Sequence, residues 1–236
     1  MSNTFFRFKK FRVEQSVNAM KVCTDACLFG AWVTVHNATT VLDIGTGTGV
    51  LALMIAQRSS ASITAVELMP ESAEEAKRNV QASKWHESIR VVCGRIQEYA
   101  ELVEEKFDVI VCNPPFYKNS LRSQHTTRRV AHHDDELSFS ELLDCVQQLL
   151  MPLGTFAVLI PTLAVTEFIE LAEERELHPK RILHIADVPD KPPIRSCIEF
   201  TFSQTEVDER TISIKDNEGC YTEEFIDLLE PYYLYL

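Results

Sequence analysis

An open α/β sheet of seven strands, mostly parallel and covered by helices on both faces, is the fold class predicted by three features of this sequence. Apolar runs at 41–45, 62–67, 89–93, 107–113, 154–160, 180–187 and 195–203 read as strands, and helical patterns separate most of them. Such alternation implies a parallel, doubly covered sheet. Glycines at positions 45, 47 and 49 stand where the first of these strands meets a helical pattern. Finally, the apolar run from Phe107 to Cys112 stops at Asn113-Pro114-Pro115-Phe116. In open parallel sheets, ligands bind beyond the carboxyl ends of strands, where the last two features lie.

In chain order, the alternation Phe6-Arg7-Phe8-Lys9 suits a half-buried strand. Phe5, Phe6, Phe8 and Phe11 are expected to pack on the core. Residues 1–35 read as an N-terminal extension lying on a single domain that spans 1–236. Leu28, Phe29, Trp32 and Val33 read as helix packing. Val41 to Gly45 forms a strand, and Val50 to Ala56 a helix. After the strand Ser62–Glu67, Pro70 marks a helix start, with Glu71, Glu74 and Glu75 in the first turns suiting its positive end. The stretch from Tyr117 to Glu136 has little apolar content and reads as a mobile loop, and Leu137-Ser138-Phe139-Ser140-Glu141 carries a capping-box pattern that starts the next helix. The proline-rich link Val188 to Pro193 is too short for a crossover, so the last two strands are expected to pair antiparallel.

Composition narrows the class. With 236 residues, 45% of them apolar, the chain can bury one sizeable core. No apolar run approaches the ~20 residues of a membrane span, and the start lacks the charge-then-apolar order of a signal peptide. Seven scattered cysteines fit a reducing compartment. A cytoplasmic monomer is expected. Cys23 and Cys27 lack the further ligands that zinc needs. His132-His133-Asp134-Asp135-Glu136 reads as a solvated segment before the helix cap, so no metal is expected.

The glycines of Gly45-Thr46-Gly47-Thr48-Gly49 let the backbone approach a ligand closely. Their G-x-G-x-G spacing differs from the G-x-G-x-x-G that packs a helix under a pyrophosphate, which points to a nucleoside cofactor without one. Glu67, at the end of the next strand, stands where an acid binds a ribose diol. Asp43 and Gly45 are expected beside the cofactor's polar tail, and Arg95, Ile96 and Gln97 around its base. Asn113 and the carbonyl of Pro114 form an acceptor cradle for an amine, because neither Pro114 nor Pro115 has an N–H to donate. Phe116 then offers a face for a stacked base.

The glycine loop, Glu67 and Asn-Pro-Pro-Phe, in that order, resemble the motif set of S-adenosylmethionine-dependent methyltransferases of planar exocyclic amines. The segments Phe11-Arg12-Val13-Glu14-Gln15, Met20 to Trp32 and Tyr221-Thr222-Glu223-Glu224-Phe225 are similar to the bacterial tRNA adenine-N6 methyltransferases that modify adenine 37 of valine tRNA. This resemblance implies a Rossmann-like class I methyltransferase fold, a seven-stranded mostly parallel sheet with an antiparallel final strand. It also implies S-adenosyl-L-methionine as cofactor, a tRNA substrate, and Lys21, Thr24 and Asp25 beside the methionine part.

A net charge of −12 opposes a nucleic-acid partner unless the cations are gathered. They form two groups: Arg7, Lys9, Lys10 and Arg12 near the N-terminus, and Lys118, Arg122, Arg128 and Arg129 after the Asn-Pro-Pro-Phe turn. Both are expected to face RNA. Enzymes acting on guanine N2 of ribosomal RNA, or on a protein glutamine amide, use closely related turns; the basic segment beside Phe116 favours RNA over a protein tail. A non-catalytic RNA-binding protein would not require both an intact glycine loop and an acceptor turn.

Overall fold

The computed structural model describes residues 4–15, 21–114 and 137–236. The chain opens with a hairpin, β1 (Phe5–Arg7) and β2 (Arg12–Glu14), followed by α1 (Thr24–Trp32). Then come β3 (Thr40–Ile44), α2 (Val50–Ala56), β4 (Ser62–Glu67), α3 (Pro70–Gln81), β5 (Ile89–Cys93), α4 (Ile96–Leu102) and β6 (Phe107–Cys112). The remainder is α5 (Phe139–Leu149), β7 (Leu150–Pro161), α6 (Val165–Glu173), β8 (His178–Ala186), β9 (Arg195–Thr201), β10 (Asp208–Ser213) and α7 (Glu223–Leu229).

Among the described residues, eight strands form the main sheet, in the order β10-β8-β9-β7-β6-β3-β4-β5. Only β9 runs against its neighbours, pairing antiparallel with both β7 and β8 as the short proline-rich link requires. The sequence predicts seven strands; the eighth, β10, pairs parallel with β8 at the sheet edge. Its pattern conceals it: Asp208, Glu209, Arg210 and Thr211 are exposed and only Ile212 is buried. Charges on an edge strand discourage pairing with other chains.

Strand order reverses beside β3, which is flanked by β4 and β6. That is where an open sheet leaves a crevice for a ligand. Side chains alternate between the faces with period two. Val41, Val109 and Val111 pack with α1, α2 and the N-terminal hairpin on one face, while Leu42, Ile44 and Ile110 pack with α4 and α5 on the other.

Helix α1 is clamped to β9 at both ends. At its amino end Asp25 faces Arg195, 3.7 Å away, and just past its carboxyl end the Thr34 N–H donates to the buried Glu199 carboxylate at 2.6 Å. The spans match at about 13 Å, nine residues at helical rise against four steps of a strand. Arg181 completes the lower clamp, 3.0 Å from Glu199 and stacked 4.4 Å from the Trp32 ring centroid.

In the hairpin, Phe8 and Phe11 are buried and stacked with centroids 4.3 Å apart, and Phe6 packs beside them. Phe5 departs from the core expectation: it is exposed, with the Arg12 guanidinium 3.9 Å over its ring. It lies at an outward-facing position of a two-stranded ribbon that has only one covered side. The capping box of α5 is formed, Ser138 Oγ accepting the Glu141 N–H while Glu141 accepts the Ser138 N–H.

Candidate active site

The glycine loop owes its composition to backbone shape. Gly45, Gly47 and Gly49 have φ of 71°, 56° and 82°, the left-handed region that side chains disfavour. A Cβ on Gly45 or Gly47 would meet nothing within 4 Å, so space is open along the loop, whereas one on Gly49 would lie 3.6 Å from Ala76 Cβ. Val66 O accepts from Gly45 N at 2.9 Å and Thr46 N at 3.1 Å, tying the loop to the end of β4. Glu67 completes the tie: Oε2 accepts from Gly47 N at 2.8 Å and Oε1 from Met69 N at 2.9 Å.

Asp43 stands at the carboxyl end of β3 and is fully buried. Its Oδ2 accepts the Thr46 hydroxyl at 2.5 Å, while Oδ1 has no hydrogen-bond partner among the described residues. Burial pushes its pKa up to about 7; the Thr46 hydroxyl and the Ala52 N–H oppose this, and the negative charge of Glu67 adds to it.

On the neighbouring strand, register pairs Asp43 with Val111 and Ile44 with Cys112. Gly45 and Asn113 therefore leave the sheet side by side. Asn113 continues the alternation of Val109 and Val111, which places it on the α1 face with Asp43. Asn113 Oδ1 is buried and, among the described residues, has no hydrogen-bond partner. An acceptor held in that state is costly unless a donor arrives to meet it. Two orphaned oxygens, Asp43 Oδ1 and Asn113 Oδ1, thus stand on adjacent strands at the crevice.

A family model described as the methyltransferase small domain matches residues 25–140. A tRNA1(Val) (adenine(37)-N6)-methyltransferase of Bacteroides fragilis is 42% identical over 235 residues, covering 99% of both chains. Relatives of the same name from Trichodesmium erythraeum and Cytophaga hutchinsonii are each 40% identical, covering 99% and 100% of both chains respectively. The chain belongs to this family of methyltransferases. Solved structures agree on the fold. A predicted O-methyltransferase of Agrobacterium tumefaciens superposes with a TM-score of 0.69 at 18% identity, covering 88% of this chain and 96% of its own. A methyltransferase of Pyrococcus furiosus gives 0.62 at 22%, covering 82% and 90%.

As a member of this family the methyltransferase uses S-adenosylmethionine, and its residues fit that group. The loop offers open space along left-handed glycines, the Glu67 oxygens each keep a further lone pair for a hydroxyl, and Asp43 Oδ1 is an unmet acceptor in a crevice that would take a cation.

The other sequence-predicted residues of the methyltransferase divide. Thr24 and Asp25, at the amino end of α1, reach the same sheet edge because Arg195, which holds Asp25, pairs with Pro161 at the carboxyl end of β7. Burial raises the Asp25 pKa, and Arg195 opposes the shift. Thr24 lies near the Tyr233 hydroxyl. Lys21 is exposed, and the next residue, Val22, donates its N–H to Gln15 Oε1 at 2.9 Å. Arg95 occupies the position just before the first turn of α4. Ile96 is buried in the core of the opposite sheet face, and Gln97 lies near Glu141, whose carboxylate it helps hold below its usual pKa.

Of the N-terminal cations, Arg7 and Lys10 are exposed. Lys9 Nζ instead donates to Glu230 O at 2.5 Å, and Arg12 pairs with Glu14 at 2.6 Å. Pro115, Phe116, Lys118, Arg122, Arg128 and Arg129, the expected mobile loop and the His132–Glu136 cluster lie outside the described residues. Among the described residues no group of three His, Cys, Asp or Glu side chains is placed to hold a metal, and no helix is long and apolar enough to cross a membrane.

Sequence reasoning missed Thr46, Asn79 and Arg195. Only Asn79 left a local signal: a polar residue on the buried stripe of α3 that also carries Ala73, Ala76 and Val80.

Proposed function

We propose that this chain transfers the methyl group of S-adenosylmethionine to the N6 amine of adenine 37 in tRNA1(Val), with Asn113 and Pro114 as the residues that hold the amine. The observation that carries this reading is the buried Asn113 Oδ1 at the carboxyl end of β6, unmet among the described residues, on the sheet face it shares with Asp43. Relatives at about 40% identity over nearly the whole chain carry the name of that activity.

The N6 lone pair of adenine is delocalised into the ring and attacks weakly. S-adenosylmethionine supplies, when bound, a methyl group on a sulfonium that is already strongly electrophilic. What the chain must add is position. Asn113 Oδ1 and the Pro114 carbonyl accept the two N6 hydrogens, which fixes the nitrogen and turns its lone pair out of conjugation. Orientation of this kind accounts for roughly 7–11 kcal/mol of barrier. The proton leaves to water after transfer, so no general base is required before attack.

Glu67 binds the cofactor's ribose hydroxyls while it holds Gly47. The loop N–H groups, Asp43, Lys21, Thr24 and Asp25 line the methionine end, and Arg95, the edge of Ile96 and Gln97 border the base. Phe116 stacks the target adenine, which leaves its anticodon loop at a cost of a few kcal/mol. Arg7, Lys10, Lys118, Arg122, Arg128 and Arg129 contact phosphates. The enzyme works as a cytoplasmic monomer without a metal.

The test is transfer of labelled methyl from S-adenosylmethionine to total bacterial tRNA, ribosomal RNA and a protein extract, followed by nucleoside and amino-acid analysis. Label in N6-methyladenosine of valine tRNA is expected. Label in N2-methylguanosine of ribosomal RNA, or in a protein glutamine, would replace the substrate assignment.

A further inference from the structure

The side chain of Asn79 is 1% exposed and shares one amide between two segments far apart in sequence. Its Oδ1 accepts the Glu14 N–H at 2.8 Å; its Nδ2 donates to Glu14 O at 3.0 Å and to Thr48 O at 2.8 Å. The orientation is set by chemistry, since a flipped amide would aim N–H at N–H and oxygen at two carbonyls. Glu14 belongs to the N-terminal hairpin and Thr48 to the glycine loop. Ala76, one turn earlier on α3, is the surface against which Gly49 packs. The hairpin has a second tie, Gln15 Oε1 accepting from Val22 N at 2.9 Å, which delivers the chain to the start of α1.

We infer that Asn79 is a positioning residue: it sets the glycine loop for the cofactor by locking Thr48 to the N-terminal hairpin, so the hairpin and the cofactor site are energetically coupled. The inference rests on the reading that the glycine loop holds S-adenosylmethionine. Open space lies beside the left-handed Gly45 and Gly47, so the loop is defined by its buried Thr46 and Thr48 and by its hydrogen bonds. Those hydrogen bonds run to Val66 O, Glu67 and Asp43 on one side and from Asn79 on the other. Loss of the Thr48 contact frees one of those two sides.

Asn79→Asp separates this role from simple packing. It keeps the shape and the acceptor for Glu14 N–H, but turns an oxygen toward the carbonyls of Thr48 and Glu14. Calorimetric affinity for S-adenosylmethionine is expected to weaken about ten-fold in Asn79→Asp and in Asn79→Leu, a size usual for coupled sites. KM for the cofactor should rise in step while kcat at saturation stays near wild type. Leu143→Ala, a core truncation on the opposite face, lowers stability without moving the affinity. If the Asn79 variants bind like wild type, or if Leu143→Ala weakens binding equally, the positioning role is overturned.

A measurement on the wild-type chain needs no variant to fold. Saturating S-adenosylmethionine is expected to slow hydrogen exchange of the Glu14 amide, which donates to Asn79, more than that of Thr211 in the edge strand β10. Equal changes at the two amides overturn the coupling. Wild-type chain that fails to bind S-adenosylmethionine overturns the cofactor reading itself, whereas normal binding with unmoved variants overturns only the role of Asn79.

Discussion

Gly47 and Glu67 are joined by a 2.8 Å hydrogen bond from the loop N–H to Oε2, while the other oxygen of the same carboxylate takes the Met69 N–H at 2.9 Å. One acid therefore fixes the glycine loop and the approach to α3 before any ligand arrives. Glu67→Gln cannot reproduce this, because its NH2 group must face one of the two N–H donors. Cofactor affinity by calorimetry should fall at least about ten-fold, in line with ~1.5–3 kcal/mol for a charged hydrogen bond. Unchanged affinity would remove Glu67 from the site.

Asn113→Ala should lower methyl transfer by about 10²–10³-fold, the usual loss of one preorganised polar contact to a reacting group. Affinity for S-adenosylmethionine should stay near wild type, since the proposed contact is with the amine. Single-turnover transfer and calorimetry on the same preparation separate the two effects. Parallel loss of both would make Asn113 a structural residue of the β6 end.

The buried Asp43 implies a pH signature. Its pKa stands at about 7 in the fold against a reference of 3.8, so between these values the folded chain binds more protons than the unfolded one. That raised pKa makes stability fall as pH rises through the window. Asp43→Asn cannot titrate, so urea denaturation should show wild type losing stability relative to the variant between about pH 4 and pH 7. A cationic cofactor favours the ionised acid, and its affinity should rise over the upper part of that window in wild type but not in the variant. A constant stability difference across the window would place the Asp43 titration elsewhere.

Charge reversal at Arg128 and Arg129 should weaken tRNA binding and flatten its salt dependence, each lost phosphate contact removing about 0.7–0.9 from the log–log slope. Arg7→Glu with Lys10→Glu should act similarly. Lys9 and Arg12 should matter less, because the Glu230 main-chain carbonyl already holds Lys9 and the Glu14 carboxylate holds Arg12. Filter binding across a salt series gives the slopes; no change at any of these pairs would return both clusters to solvated surface.

Glu199 is 1% exposed and accepts from Thr34 N, Thr34 Oγ1 and Arg181. Glu199→Ala leaves Arg181 without its buried counter-charge and releases the end of α1, a loss of about 3–5 kcal/mol for breaking such a pair. Urea midpoints test this. A loss near zero would mean that the Arg181 stack on Trp32 suffices.

How much of this was legible in advance can be read from single residues. The capping box of Ser138 and Glu141, Pro70 at the first position of α3 and the left-handed glycines were legible because each depends on partners within a few residues. β10 was not, since an edge strand with one buried residue has no apolar period to detect. Glu199 reads as an ordinary polar residue in an apolar strand until Thr34, 165 positions earlier, is brought to it.

By itself, then, the sequence determined most of the strand and helix order, the glycine loop and the acid at the end of β4, all consequences of local backbone preference and apolar periodicity. Only the tertiary structure decided that Gly45 and Asn113 leave the sheet side by side, that Arg195 holds Asp25 at that edge, and that Asn79 joins a hairpin to a loop. These relations depend on which strands become neighbours and in what register. That choice is made by burying two sheet faces at once, and no short window of residues contains it.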